Sequence, residues 1–398
     1  MKNKLKTFKH NPKSKVAIGH PRLMWGGSEK RVWWGIEALK NDYDVTLVTA
    51  GEFNLEEMNR YYGTSLRPTD FKVRQAPLPF FLRKNAKAAA LRGALYQRFC
   101  RSIANEYDVL ISAYGPCDFG VPAIHFIADF SWDKEIREKY DPYPPSFIYR
   151  DDLLRKCYLW IARHLRTPSG RNLFSGEDKI IAVSPWVAKL MKEKYSIECQ
   201  VIYSPILGDF PPASYQSKEI GFVCLGRIAP EKRIERIIEI LAKVRQTGYN
   251  LHLHIIGGAD ESSYSDKVNK LCSKNSEWVI QEGRLFGKNK VDLLLKHLFG
   301  IHARQAEPFP GAVIEMMKAG CIVFVPNEGG QIEVVNHPAL IYNNVDDAVS
   351  KIERVLNDNA FQIELQKHLA KQAEKFSTER FMKEIREVVQ HFFKENKR

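Results

Sequence analysis

The chain lacks any run of about 18 apolar residues, so no membrane-spanning helix is expected. Residues 1–15 carry six lysines and no apolar core of the kind a secretory leader needs. The seven cysteines are scattered, odd in number and form no Cys-x-x-Cys pair. That argues against a zinc ribbon or a disulfide framework and for reduced thiols in a cytoplasmic protein. Histidines stand apart along the sequence and no Asp-x-Asp metal clamp is read in it, so no metal is expected. No internal repeat of fixed period is visible, which argues against a solenoid. No RNA- or DNA-binding motif occurs, and basic residues are dispersed rather than interleaved with aromatics. Nucleic acid is therefore not the expected partner.

What the chain does have is a net charge of +13 and 398 residues, 44% of them hydrophobic. That length supports two to three domains with separate cores. The charge calls for an acidic partner, and only part of it belongs to the lysine-rich stretch 1–15. From residue 16, short β-rich runs alternate with amphipathic stretches, the pattern of parallel-sheet α/β domains. Strands are expected at 16–18, 45–49, 109–112, 123–127 and 180–183, with a helix over 28–39. Around Tyr203-Ser204-Pro205 the pattern breaks, and Pro211-Pro212 with polar residues to Lys218 reads as a linker. Alternation resumes at 220–225, with further strands at 251–256, 299–303 and 322–325. A charged amphipathic helix is expected over 378–396.

The densest signal is Glu307-Pro308-Phe309-Pro310-Gly311-Ala312-Val313-Ile314-Glu315, two carboxylates eight positions apart. The first falls in a loop after an apolar run and the second early in a helix that Pro310 and Gly311 suit as a start. Free N–H groups and the helix dipole make such a place an anion site. Carboxylates there would repel a bound phosphate unless they serve sugar hydroxyls, so a ligand carrying both phosphate and sugar fits. Upstream lies Gly226-Arg227-Ile228-Ala229-Pro230-Glu231-Lys232, and downstream Gly329-Gly330-Gln331-Ile332-Glu333.

These three elements, in this order, resemble the pattern of retaining GT-B glycosyltransferases of the large family 4 class. The resemblance covers nearly the whole chain, most closely over 220–335. It implies two Rossmann-like doubly wound domains facing across a cleft: an acceptor-side domain over 16–205 and a nucleotide-sugar domain over 206–375. Residues 376–398 would form a helix crossing back to the first domain. It implies transfer of a sugar from a nucleoside-diphosphate sugar to a glycan or lipid-linked acceptor, with no cofactor and no metal. Arg227 and Lys232 would hold the leaving diphosphate, Lys232 from the first turn of a helix opened by Pro230. Glu307 would face the donor sugar, and Glu315 would accept hydrogen bonds from ribose hydroxyls. Phe309, Gly311, Gly329 and Gly330 would complete the donor site. The family usually has Phe-Gly after its first glutamate, whereas Pro310 intervenes here and removes an N–H.

In the first domain, Gly26-Gly27 resembles the family's glycine-rich turn, where a ligand approaches the backbone closely. Many members carry a histidine after the strand near residue 127. Here Ala128 and Asp129 stand in that neighbourhood, and Asp129 is the candidate for orienting acceptor or sugar. His125, inside the apolar strand, reads as a core histidine. Two stretches, 87–103 and 153–166, combine an apolar stripe with bordering Arg and Lys. The stripes read as core-facing, while the basic residues suit an anionic glycan or the anionic inner face of a membrane. A non-catalytic sugar-nucleotide binder on the same fold stays open, as does, more remotely, a basic nucleic-acid binder.

Overall fold

The computed structural model describes residues 13–396 apart from 24–25, 84–87, 141–152, 167, 175, 207–209, 212–214 and 260–262. Most of the lysine-rich stretch and parts of the expected linker lie outside the described residues.

Thirteen strands among these residues form two wholly parallel sheets. The first comprises β1 Lys15–His20, β2 Asp44–Thr49, β3 Lys72–Gln75, β4 Val109–Ser112, β5 Ile124–Ile127, β6 Lys179–Ala182 and β7 Gln200–Val201. Its order is β3-β2-β1-β4-β5-β6-β7. The second comprises β8 Glu219–Leu225, β9 Leu253–Ile256, β10 Val279–Gly283, β11 His297–Ile301, β12 Ile322–Pro326 and β13 Ile341–Tyr342. Its order is β10-β9-β8-β11-β12-β13. Both orders reverse direction beside the first strand of the sheet, and such switch points open a crevice at the carboxyl ends of the strands. The expected pair of doubly wound domains is what the chain forms.

Helices on both faces explain the apolar runs. β4, β5, β11 and β12 are buried at every position, as strands covered on two sides must be. The first sheet is sandwiched by one core around Val16, Ile18, Trp33 and Ile36 and another around Ala17, Tyr96, Cys100 and Leu110. A single larger core around Phe222, Phe299 and Phe324 holds the second. Each fully buried side chain of this size stabilises by about 1.5–3 kcal/mol.

The helix Thr378–Glu395 starts where Ser377 accepts a hydrogen bond from Arg380 N–H. Its Phe381, Ile385, Val388, Val389 and Phe392 recur at helical spacing and pack into the first domain's core, not the second's. Two chain crossings therefore join the domains, and they touch. Ile206 N–H donates to Phe376 O at 3.2 Å, and the Tyr203 ring meets Phe376 edge-on at 4.9 Å.

Candidate functional site

At the carboxyl end of the second sheet, β11 runs into the loop that carries Glu307. Ala306 has a left-handed backbone (φ 52°), and Glu307 forms an isolated bridge with Gly329. Gly330 N–H donates to Glu307 O at 2.8 Å. A Cβ on Gly329 would lie 2.6 Å from Glu307 N, and one on Gly330 would lie 2.6 Å from Pro308 O. Gly329 and Gly330 thus seat the glutamate loop by letting two backbones approach.

Glu307 is buried, with a cluster of cationic and imidazole groups around its carboxylate. Lys232 Nζ lies 2.8 Å from Oε1, Arg304 Nη1 3.5 Å from the same oxygen, and His302 Nε2 2.6 Å from Oε2. Burial alone would raise the carboxyl pKa, but Lys232, His302 and Arg304 outweigh it and hold the group well below its ordinary value. Burial also depresses His302. Lys232 does not sit in a helix first turn as expected. It closes a 3-10 turn, Pro230–Lys232, and Arg233 with φ 49° separates that turn from the helix Ile234–Gln246. The left-handed residue swings the lysine back over Gly226, where a Cβ would lie 3.4 Å from its Cε.

Glu315, in the helix Gly311–Lys318, is equally buried but draws its partners from both domains. Lys290 Nζ of the helix Gly287–Lys296 lies 2.7 Å from Oε2. Lys30 Nζ of the first domain's helix Gly27–Leu39 lies 3.3 Å from Oε1. Against the burial penalty, Lys30 and Lys290 keep this carboxyl below its usual range as well.

Other predicted residues stand apart from this pair. Arg227 is exposed and bonds Glu231 at 2.9 Å rather than joining Lys232. Phe309 packs against Tyr203 and Phe376 and lies against hydrophobic clusters of both domains, a spacer at the crossing. Gly311 N–H donates to Phe309 O at 3.0 Å, so the amide left after Pro310 is already engaged. Gly26 N–H donates to Tyr62 OH at 3.0 Å, whereas Gly27, opening its helix, faces open space. Asp129 follows β5, and its Oδ1 caps Ser131 N–H at 2.9 Å. His125 is buried, with Nε2 3.4 Å from Asp178.

Beside His302, four further residues that sequence reasoning passed over shape the cleft: Arg304, Lys290, Lys30 and Arg31. Only Arg304 carried a local signal, three positions before Glu307; the others come from distant elements. Arg31 is fully buried. It donates to Ala113 O at 2.9 Å and to Ser204 Oγ at 2.8 Å, tying the end of β4 to the domain crossing. Burial lowers its pKa to about 10, with Glu29 and Asp129 opposing. Beside it His20, ending β1, shares a 3.1 Å hydrogen bond with Ser28 Oγ, and burial with Arg31 lowers its pKa to about 3.

Metal expectations need two corrections. An Asp-x-Asp triplet does occur, Asp42-Tyr43-Asp44, but it lies at the amino end of β2, where Asp44 pairs with Lys72 at 2.6 Å. Nor are the histidines all isolated: His252, His254 and His297 converge at the amino end of the second sheet, opposite the cleft.

Two parallel-sheet domains with a cleft at the carboxyl ends of their strands make this the GT-B fold seen in glycosyltransferases. Residues 210–376 match the family described as glycosyl transferases group 1. The chain is 26% identical to a mouse protein, GDP-Man:Man(3)GlcNAc(2)-PP-Dol alpha-1,2-mannosyltransferase, over 79% of this chain and 73% of that one. Its fold matches sucrose-phosphate synthase from Thermosynechococcus elongatus with a TM-score of 0.68 at 15% identity, covering 96% and 99% of the two chains. It also matches HepE from Anabaena, solved in complex with UDP, with a TM-score of 0.67 at 14% identity, covering 95% and 100%.

Proposed function

We propose that the protein is a retaining, metal-independent glycosyltransferase whose second domain binds a nucleoside-diphosphate sugar. The observation that carries this is the Lys232–Glu307 pair at the carboxyl end of the second sheet, together with the Lys30–Glu315–Lys290 bridge that joins the domains. Both carboxylates are buried and held below their ordinary pKa by lysine ammonium groups. A diphosphate would draw Lys232 to its leaving oxygen, and Glu307 would then accept hydrogen bonds from the donor sugar. Ribose hydroxyls would replace Lys30 on Glu315. Stabilising charge as it grows on the leaving group is the largest service such a site can perform, roughly 3–4 kcal/mol per donor. Arg227 can swing from Glu231 onto the diphosphate because it is exposed. Asp129, with Arg31 behind it, faces the acceptor side and orients the attacking hydroxyl.

Similarity to the mouse enzyme favours GDP-mannose as donor and a lipid-linked glycan as acceptor. Thermal-shift titration with GDP, UDP and ADP, followed by transfer assays with the matching sugar nucleotide, tests the donor. NMR of the product's anomeric carbon tests retention. Nucleotide binding without turnover on any lipid-linked or free glycan acceptor would favour the non-catalytic reading.

The acceptor side has a surface suited to an anionic bilayer. The helix Ala89–Ser102 is largely packed inward, but the helix Leu153–Arg166 is not core-facing as its stripe suggested. Leu153, Leu154, Trp160 and Ile161 are exposed, and Lys156, Arg163 and Arg166 lie beside them. No helix among the described residues is long and apolar enough to cross a membrane. An amphipathic basic helix of this kind lies in the lipid interface, with about 1 kcal/mol from each basic residue. Co-sedimentation with phosphatidylglycerol but not phosphatidylcholine vesicles, weakened by salt, is the expected result.

A further inference from the structure

The amino end of the second sheet carries a feature that glycosyl transfer does not use. His252 precedes β9, His254 lies within it, and His297 begins β11. One ring nitrogen of each lies within 4.8 Å of the other two. Register explains the convergence. Phe222 pairs with Leu253 and Val223 with His254, so Gly221 lies beside His252, and Glu219 pairs with His297. His252 and His254, two apart on one strand, share a face. At the centre stands Gly221, where a Cβ would come 2.1 Å from His252 Nε2. The missing side chain leaves the space into which the His252 ring turns.

The surroundings set the rings for coordination. Glu282 Oε1 lies 2.6 Å from His254 Nδ1, and Leu293 O lies 2.8 Å from His297 Nδ1. An acceptor at Nδ1 fixes the proton there and leaves Nε2 with its lone pair, as in histidines whose second nitrogen binds a metal. His297 is 1% exposed, and its Nε2 has no hydrogen-bond partner; neither has His252 Nε2. An imidazole nitrogen buried without a partner is costly, and two facing one hollow call for a shared occupant. Glu219, whose Oε2 lies 3.6 Å from His252 Nε2, stands at the rim.

We propose that His252, His254 and His297 form a binding site for a divalent transition metal of the zinc class, with Glu219 or water as fourth ligand. Three neutral imidazoles and one oxygen are a donor set suited to Zn²⁺ at about 2.0–2.1 Å. Reaching that distance draws the rings together from their metal-free spacing, and half-buried His252 is the one with room to move. The site clamps β8, β9 and β11 at the end of the sheet away from the cleft, so its role is structural.

The test uses the full, untagged chain stripped with a chelator and titrated with Co²⁺ and Zn²⁺. One Co²⁺ should bind with the visible absorption of a tetrahedral centre, Zn²⁺ should displace it, and the melting temperature should rise. His254→Gln, and separately Gly221→Ala, which blocks the His252 ring, should each weaken binding at least tenfold. Glycosyl transfer in His254→Gln at saturating donor should stay at the wild-type rate. His252→Asn, at a half-exposed position, guards against a folding defect in the buried variants. No Co²⁺ spectrum, or equal affinity in His252→Asn and wild type with both folded by circular dichroism, would overturn the assignment.

Discussion

Glu307 and Glu315 sit eight residues apart on one loop-and-helix unit and are almost equally buried, at 9% and 8% exposure. They are neutralised in different ways. Every partner of Glu307, namely Lys232, His302 and Arg304, belongs to its own domain. Glu315 shares its charge with Lys290 beside it and with Lys30 across the cleft. The first site is set by one domain's fold alone, while the second registers where the other domain stands. Chemistry should therefore fail when the Glu307 cluster is broken, and geometry should change when the Glu315 bridge is broken.

The largest expected effect is on the first of these. Lys232→Ala should cut kcat by about 100- to 1,000-fold with a smaller change in KM, since leaving-group charge is greatest in the transition state. Steady-state kinetics on the identified donor checks this; a change confined to KM would move Lys232 out of the chemical step. Glu315→Gln comes next and should weaken nucleotide binding about tenfold by calorimetry while leaving kcat near wild type.

A pH effect follows at the domain contact. Glu333, in the helix Gln331–Val335, meets the backbone N–H of Trp186 from the first domain, and burial raises its pKa to about 8 against an ordinary 4.5. The folded state holds a proton there that the unfolded chain releases. Its contribution to stability is complete below about pH 4.5 and is lost as pH rises through about 8. Glu333→Gln should flatten that part of the melting-temperature profile between pH 5 and 8.5 and be the more stable variant at the upper end. Parallel profiles for the two proteins would refute the buried-proton account. Smallest of all, Lys30→Ala should cost no more than about 1 kcal/mol of stability, since Lys290 keeps Glu315 paired. In small-angle scattering without nucleotide it should still raise the radius of gyration, because one cross-cleft tie is gone.

The contrast also separates what the sequence makes legible. Central strands announced themselves as unbroken apolar runs because both their faces are covered. The strands that gave no usable signal are β3, β7, β10 and β13, and each lies at a sheet edge. There one side meets water, runs are short or polar, and neighbours rather than composition fix the strand. The site divides along the same line. Glu307, Glu315, Lys232 and the glycine pair are readable because a single loop motif carries each. Lys30 and Lys290 reach Glu315 from 285 and 25 residues away, a distance only tertiary folding closes. What the motif does not announce is how its two cations pair without ligand: Arg227 with Glu231, four positions on, and Lys232 with Glu307, 75 positions on. His252, His254 and His297 escaped notice because 42 residues and a sheet crossing separate His254 from His297.

The long way round taken by the helix Thr378–Glu395 sets the order in which this molecule can be made. Arg386 donates to Ala38 O across 348 residues, and the Phe381 ring lies 6.5 Å from Phe126. On the ribosome, the second domain has all its strands in hand by residue 342 and can close as it emerges. The first domain, synthesised earlier, must keep Trp33, Ile36 and Phe126 waiting until residues 381–392 leave the exit tunnel. The half translated first is thus the half finished last, and during that interval it is the natural client for a chaperone.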